Sequence, residues 1–320
     1  MRWFVCLLLI VASAPVSAGR DRSAEAVVVL DQFLSGTLGL NAAINRVQFL
    51  GQEAFASSQL VPVLRRAGDP RRREQVLEFL AAVAVPDVEV ERVLLQALAS
   101  PSTSEVISAA RGLGRIRSAQ AVGPLIERLA HPVPGVRREA AKALSAIGSP
   151  KAGGPLLKAA RAEVDLELKL VLLRAVGRTG DRAQVAPLEA MLNESSESTR
   201  LAAAQSLCVL GAPRCAKFAA GLLTSADRSD RLQGVMLFEG AQARVASASL
   251  APLLADSDHR VRARAARILV EGGDRSKLDW LVIESARAPG ETKLAYEDEL
   301  ERLRLPDDER QAILKRAGLQ

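Results

Sequence analysis

Histidine is almost missing from this chain. Only His131 and His259 occur in 320 residues. Aromatic residues make up 3%, with one tyrosine and two tryptophans, and there are three cysteines. Each shortage excludes something. No HExxH pair exists, so a zinc hydrolase site of that type has no ligands. The two histidines, one beside Pro132 and one in Asp256-Ser257-Asp258-His259, read as surface turn residues. The cysteines lack metal-type spacing and nearby histidines. No GxSxG elbow is present. The glycines of GSPKAGG at 148–154 lack the lysine–hydroxyl ending of a phosphate loop. Asp256-Ser257-Asp258 lacks the glycine and distant glutamate of a calcium loop, and reads as a turn that caps the next helix. No catalytic residue, metal or cofactor is therefore expected. Charge of one sign is also not concentrated: 43 basic and 37 acidic residues are intermixed, for a net charge of +6. Few stacking aromatics and no basic block argue against a nucleic-acid partner.

What is abundant is aliphatic. Hydrophobic residues are 48% of the chain, much of it alanine and leucine, which favour helix. The first residues, MRWFVCLLLIVASAPVSA, combine Arg2, an apolar run from Trp3 to Ala12, Pro15 and a small-residue Val16-Ser17-Ala18 site. They read as a secretory signal peptide cut after Ala18. An uncleaved anchor would need a longer run, about 20 residues. Nothing later in the sequence is apolar enough to span a membrane. The mature chain is expected to be exported, periplasmic or secreted. In such a compartment Cys208 and Cys215 are candidates for a disulfide across a helix–helix turn. The alternative is two small buried hydrophobes.

One phrase recurs: AARGLGRIRSA at 109–119, AAKALSAIGSP at 140–150, LLRAVGRTGDR at 172–182, AAQSLCVLGAP at 203–213 and AARILVEGGDR at 265–275. Its anchors are Leu113, Leu144, Val176, Leu207 and Leu269, separated by 31, 32, 31 and then 62 residues, a double step. A steady period near 31 marks a helical solenoid. In one unit, Val136, Ala140, Ala143, Leu144 and Ile147 lie on one face of a helix spanning about 136–147. Gly148-Ser149-Pro150 stops it, and a second helix covers about 152–162. Pro124, Pro155 and Pro187 each fall eleven residues after an anchor, in the first turn of a second helix where proline is tolerated.

The segments VRREAAKALSAIGSPKAGGPLLKAA at 136–160 and VRARAARILVEGGDRSKLDWLV at 261–282 resemble the short HEAT-like repeats of phycobilisome lyases. The resemblance is clear over 101–226 and weaker over 38–100 and 227–289. It implies an all-α chain, an alpha-alpha superhelix of about eight helix pairs with polar end caps. The expected layout is a signal peptide at 1–18, a capping segment at 19–37, the solenoid at 38–289 and C-terminal capping helices at 290–320. The unit at 227–256 departs from the pattern, with a late proline and a longer inter-helix turn.

Two partly basic ladders run beside the anchors. Two residues before them stand Arg111, Lys142, Arg174, Gln205 and Arg267; seven before stand Val106, Arg137, Lys169, Arg200 and Arg262. Read functionally, they form a strip that docks an acidic partner. Read structurally, they pair with turn acids of neighbouring repeats, such as Asp181 or Asp227. The resemblance implies a non-enzymatic scaffold that binds a protein or peptide. Two alternatives stay open: a chromophore lyase-like enzyme or small-molecule carrier, and a nucleic-acid-binding solenoid.

Overall fold

A computed structural model of the chain describes residues 22–239 and 247–319. The expected signal peptide lies outside the described residues, as does 240–246, most of the longer turn expected in the unit at 227–256. All regular structure among the described residues is helical. The chain divides into two compact units, 1–90 and 91–320.

The first unit contains α1 (Arg22–Leu34), α2 (Leu40–Leu50), α3 (Glu53–Arg66) and α4 (Pro70–Val83). α1 packs on α2 and α3, and α4 packs on α2 and α3. Phe33 and Phe79 meet edge to face at 4.9 Å in its core. Arg72 lies over the Phe33 ring and donates to the Phe33 and Leu34 carbonyls, closing the C-terminal end of α1. Helix α5 (Val88–Leu98) carries the boundary.

The second unit is a series of helix pairs. They are α6 (Thr103–Arg115) with α7 (Val122–Arg128), α8 (Pro134–Ile147) with α9 (Gly153–Ala162), and α10 (Leu166–Arg178) with α11 (Val185–Ala190). Then come α12 (Glu197–Val209) with α13 (Pro213–Leu223), α14 (Arg228–Met236) with α15 (Ser247–Leu250), and α16 (His259–Glu271) with α17 (Ser276–Arg287). Helices α18 (Gly290–Leu303) and α19 (Asp307–Arg316) close the unit. The architecture is an all-α, HEAT-like solenoid. First helices pack on first helices: α6 on α8, α8 on α10, α10 on α12, and again α14 on α16 and α16 on α18.

Local chemistry sets the helix limits. Asp165, Ser196, Asp227 and Asp258 cap their helices by accepting backbone N–H bonds. Pro134 and Pro213 occupy first-turn positions, where the missing N–H costs nothing. Gly148 ends α8 at φ 73°, a left-handed conformation suited to glycine. The anchors Leu113, Leu144, Val176 and Leu207 are fully buried.

Residues beside the anchors set how closely the first helices approach. A Cβ on Gly114 would lie 2.8 Å from the Ala143 Cα, and one on Gly177 would lie 2.6 Å from the Ser206 Cα. The buried Ser206 hydroxyl donates to the Leu173 carbonyl at 2.6 Å, satisfying itself across the same contact. Small residues one before or one after an anchor therefore let backbones meet.

The charge-rich C-terminal segment is more than a solvated cap. Tyr296, Leu300 and Ile313 are buried with Leu278 and Leu281, and Trp280 meets Tyr296 edge to face at 6.0 Å. One anchor escaped the sequence reading. Phe238 is 3% exposed and stands 31 residues from both Leu207 and Leu269, so the double step contains a normal register position.

Two glycine substitutions should have opposite signs. Gly177→Ala forces backbone apart and should cost about 1–3 kcal/mol. Gly221→Ala, inside α13 with nothing within 4 Å of a new Cβ, should stabilise by about 0.5–1 kcal/mol. Urea unfolding reads both; a neutral Gly177→Ala would refute the close approach.

Candidate functional site

The candidate site is the surface of the first helices, and its geometry depends on where the arginines go. Arg137 donates to the His131 and Pro132 carbonyls, both at 2.9 Å. Arg200 does the same to Glu194 and Ser195 at 2.9 Å. Arg231 reaches Ser225 and Ala226 at 3.0 and 2.9 Å, and Arg262 reaches Asp256 and Ser257 at 2.7 and 3.1 Å. In every case the arginine is the fourth residue of its helix, and the acceptors lie six and five residues before it. One guanidinium nitrogen thus closes the turn that enters each helix.

The rest of the guanidinium reaches the following turn. Arg137 grips Glu163 with two bonds of 2.8 and 3.1 Å. The Glu163 carboxylate also accepts from the Val164 and Asp165 backbone N–H groups. Arg231 grips Asp256 in the same bidentate way, at 2.7 and 3.0 Å, and Asp256 accepts from the Asp258 N–H. Arg262 donates to the Tyr296 hydroxyl at 3.1 Å. The acids that receive these arginines are Glu163 and Asp256. Asp181 and Asp227 instead cap their own turns. Asp256-Ser257-Asp258 caps α16. Arg231 was missed by sequence because Phe238 was not taken as its anchor.

These contacts shift the acids. The Arg137 hydrogen bonds outweigh burial and hold Glu163 below the usual carboxylate range. Burial pushes Asp256 up, but Arg231, the Asp258 N–H and the Arg262 charge together hold it low.

The other ladder, two residues before each anchor, divides. Arg111, Lys142 and Arg174 are exposed on α6, α8 and α10. Glu139 sits between the first two, 3.7 Å from Arg111 and 2.8 Å from Lys142. Arg174 donates to the Gln205 carboxamide oxygen at 2.9 Å. Arg267 is only 5% exposed, because α18 packs over α16. There it pairs with Glu239, Glu271 and Glu299. Burial lowers its pKa, but the Glu299 and Glu271 carboxylates raise it beyond the ordinary arginine value. Lys169 is half-buried on α10. Two cations that the ladders did not include, Arg115 and Arg178, are exposed one turn beyond Arg111 and Arg174. Their signal was a second register position, two residues after the anchor.

Cys208 and Cys215 form a disulfide joining the end of α12 to the start of α13, with Cα atoms 5.1 Å apart. A larger groove of about 830 Å³ opens between α7 and α9, lined by Ile126, Leu129, Pro155, Lys158 and Ala159 among others. Among the described residues no group of three or more His, Cys, Asp or Glu is placed to hold a metal, and no helix is long and apolar enough to cross a membrane.

Residues 91–172 match the HEAT repeat family. No curated protein matches the chain. Among solved structures, it is similar to the complex of CpcE and CpcF of phycocyanin lyase from Nostoc sp. PCC7120, at 18% identity and TM-score 0.49, covering 92% of this chain and 99% of that one. It is also similar to human deoxyhypusine hydroxylase in complex with glycerol, at 21% identity and TM-score 0.34, covering 80% and 98%.

The low carboxylates give these inter-repeat turns an acid sensitivity. Glu163 and Asp256 have folded pKa values below their unfolded ones. Their stabilisation is complete above the ordinary carboxylate range, about pH 4, and is lost as pH falls through the folded values. Glu163→Gln with Asp256→Asn should therefore be less stable than wild type at pH 7, with a smaller further loss between about pH 5 and pH 3. Urea midpoints measured across that range test this. Parallel pH profiles would show that the pairs carry no linkage.

Proposed function

We propose that this protein is an exported, non-enzymatic scaffold that docks an acidic segment of a partner protein on its first-helix face. One observation carries the reading. Arg111, Arg115, Lys142, Arg174 and Arg178 occupy matching positions on three consecutive, mutually packed helices, and all are exposed. The turn arginines Arg137, Arg200 and Arg262 are half-buried against the chain's own carbonyls, so the docking charge is assigned to the more exposed register, where Glu139 offsets part of Arg111 and Lys142. Because the cations sit on packed helices, they are positioned before the partner arrives, which reduces the ordering cost of binding. Export rests on the leader-like residues 1–18, and recognition by surface rather than catalysis rests on the lack of a catalytic motif in the sequence.

Affinity capture of the mature protein from its native exported fraction, with mass spectrometry of what is retained, tests the proposal. The retained protein should leave the column as ionic strength rises. It should be lost from a variant carrying Arg111→Glu, Lys142→Glu and Arg174→Glu. Intact mass should show a chain that begins after Ala18. Retention of nothing but a pigment or other small molecule would overturn the scaffold reading in favour of the lyase or carrier alternative.

A further inference from the structure

The basic strip does not end in open surface. After α12 the row of first helices loosens, since α14 packs mainly on α13 and α16 rather than on α12. A cleft of about 310 Å³ lies there, with α12 as its floor. Arg174 and Arg178 form one wall, and Met236, Leu237 and Glu239 form the other. Its apolar surface is open to solvent: Val209 is 51% exposed and Met236 39%. Glu239 is held by Arg267, which it shares with Glu271 and Glu299. Arg174 is held in place by Gln205, and Arg178 pairs with no carboxylate among the described residues. One wall therefore offers cations, and the floor and far wall offer the aliphatic surface of Val209 and Met236 beside the polar Gln205 and Glu239.

We propose that this cleft takes one large aliphatic side chain of the partner peptide, with acidic residues beside it held by Arg174 and Arg178. The inference rests on the docking reading above and adds its specificity. Two arguments select a peptide of this chemistry. The cations at one wall ask for carboxylates rather than for another base. The space, about ten waters at roughly 30 Å³ each, has room for one large side chain, and the exposed Val209 and Met236 leave it open on one side. The partner must supply its own backbone to cover them. A purely charged strip would bind any acidic segment; an aliphatic socket at its end fixes which segment and in which register.

The test uses two fluorescein-labelled synthetic peptides that share acidic flanks, one with a central leucine and one with serine there. Anisotropy titration reads their binding to the full mature chain. The leucine peptide should bind about tenfold or more tightly than the serine peptide. Met236→Ser should remove most of that advantage while leaving the serine peptide nearly unchanged. Val209→Ser, milder in fold, should do the same in part. Arg178→Glu should weaken both peptides. Melting curves of the three variants confirm folding, since all three positions are exposed. Equal binding of the two peptides to wild type would overturn the socket and leave the charged strip standing. Binding of neither peptide would overturn both.

Discussion

At four passages from a second helix into the next first helix, two turn carbonyls point along the seam between repeats, and an arginine on the fourth helical residue answers them. Arg137, Arg200, Arg231 and Arg262 repeat this contact with the same spacing. These carbonyls lie at or near the surface, and a charged donor with several N–H groups ties the turn and its neighbour together. Through Glu163 and Asp256 the same side chains reach forward to the next turn. Asp256 shows the continuity most clearly. Its carboxylate holds Arg231 and its carbonyl holds Arg262, which in turn donates to Tyr296. The turns from Ser225 to Tyr296 are thus tied in series by three side chains.

That device and the small residues at the anchors divide the labour. Gly114, Ala143, Gly177 and Ser206 set the distance between first helices, while the arginines set the turns that orient them. With both tasks done inside the repeat, the positions two residues before and after the anchor are left at the surface on α6, α8 and α10. The proposed docking face would be rigid, because its cations stand on packed helices. Its proposed specificity lies where the packing pattern changes, beside α14.

Much of this was legible in the sequence. The period near 31, the helix ends at Gly148 and the first-turn prolines follow from local chemistry that a short window contains. The disulfide pair could be named for the same reason, being seven residues apart. Other features depend on which faces meet. Arginines at Arg137 and Arg174 look alike in sequence, yet one is folded back on a turn and the other faces solvent. The difference is a helical register relative to the preceding turn. Arg267 repeats the register of Arg174 but is buried, because a later helix covers it. The fate of Tyr296 could not be read either, since its charge-rich surroundings hide one apolar face. Phe238 is the exception: its spacing from Leu207 and Leu269 was available and was masked by a weak surrounding phrase.

The central claim is that two arginine registers of one repeat have separate roles, one closing turns and one facing a partner. Thermal unfolding of Arg231→Gln and Arg174→Gln, compared with wild type at neutral pH, tests it most directly. Arg231→Gln should lower the Tm by several degrees, having removed two carbonyl bonds and a bidentate pair. Arg174→Gln should stay within about two degrees of wild type, as exposed substitutions do. Equal losses for the two variants, or a larger loss for Arg174→Gln, would contradict the division.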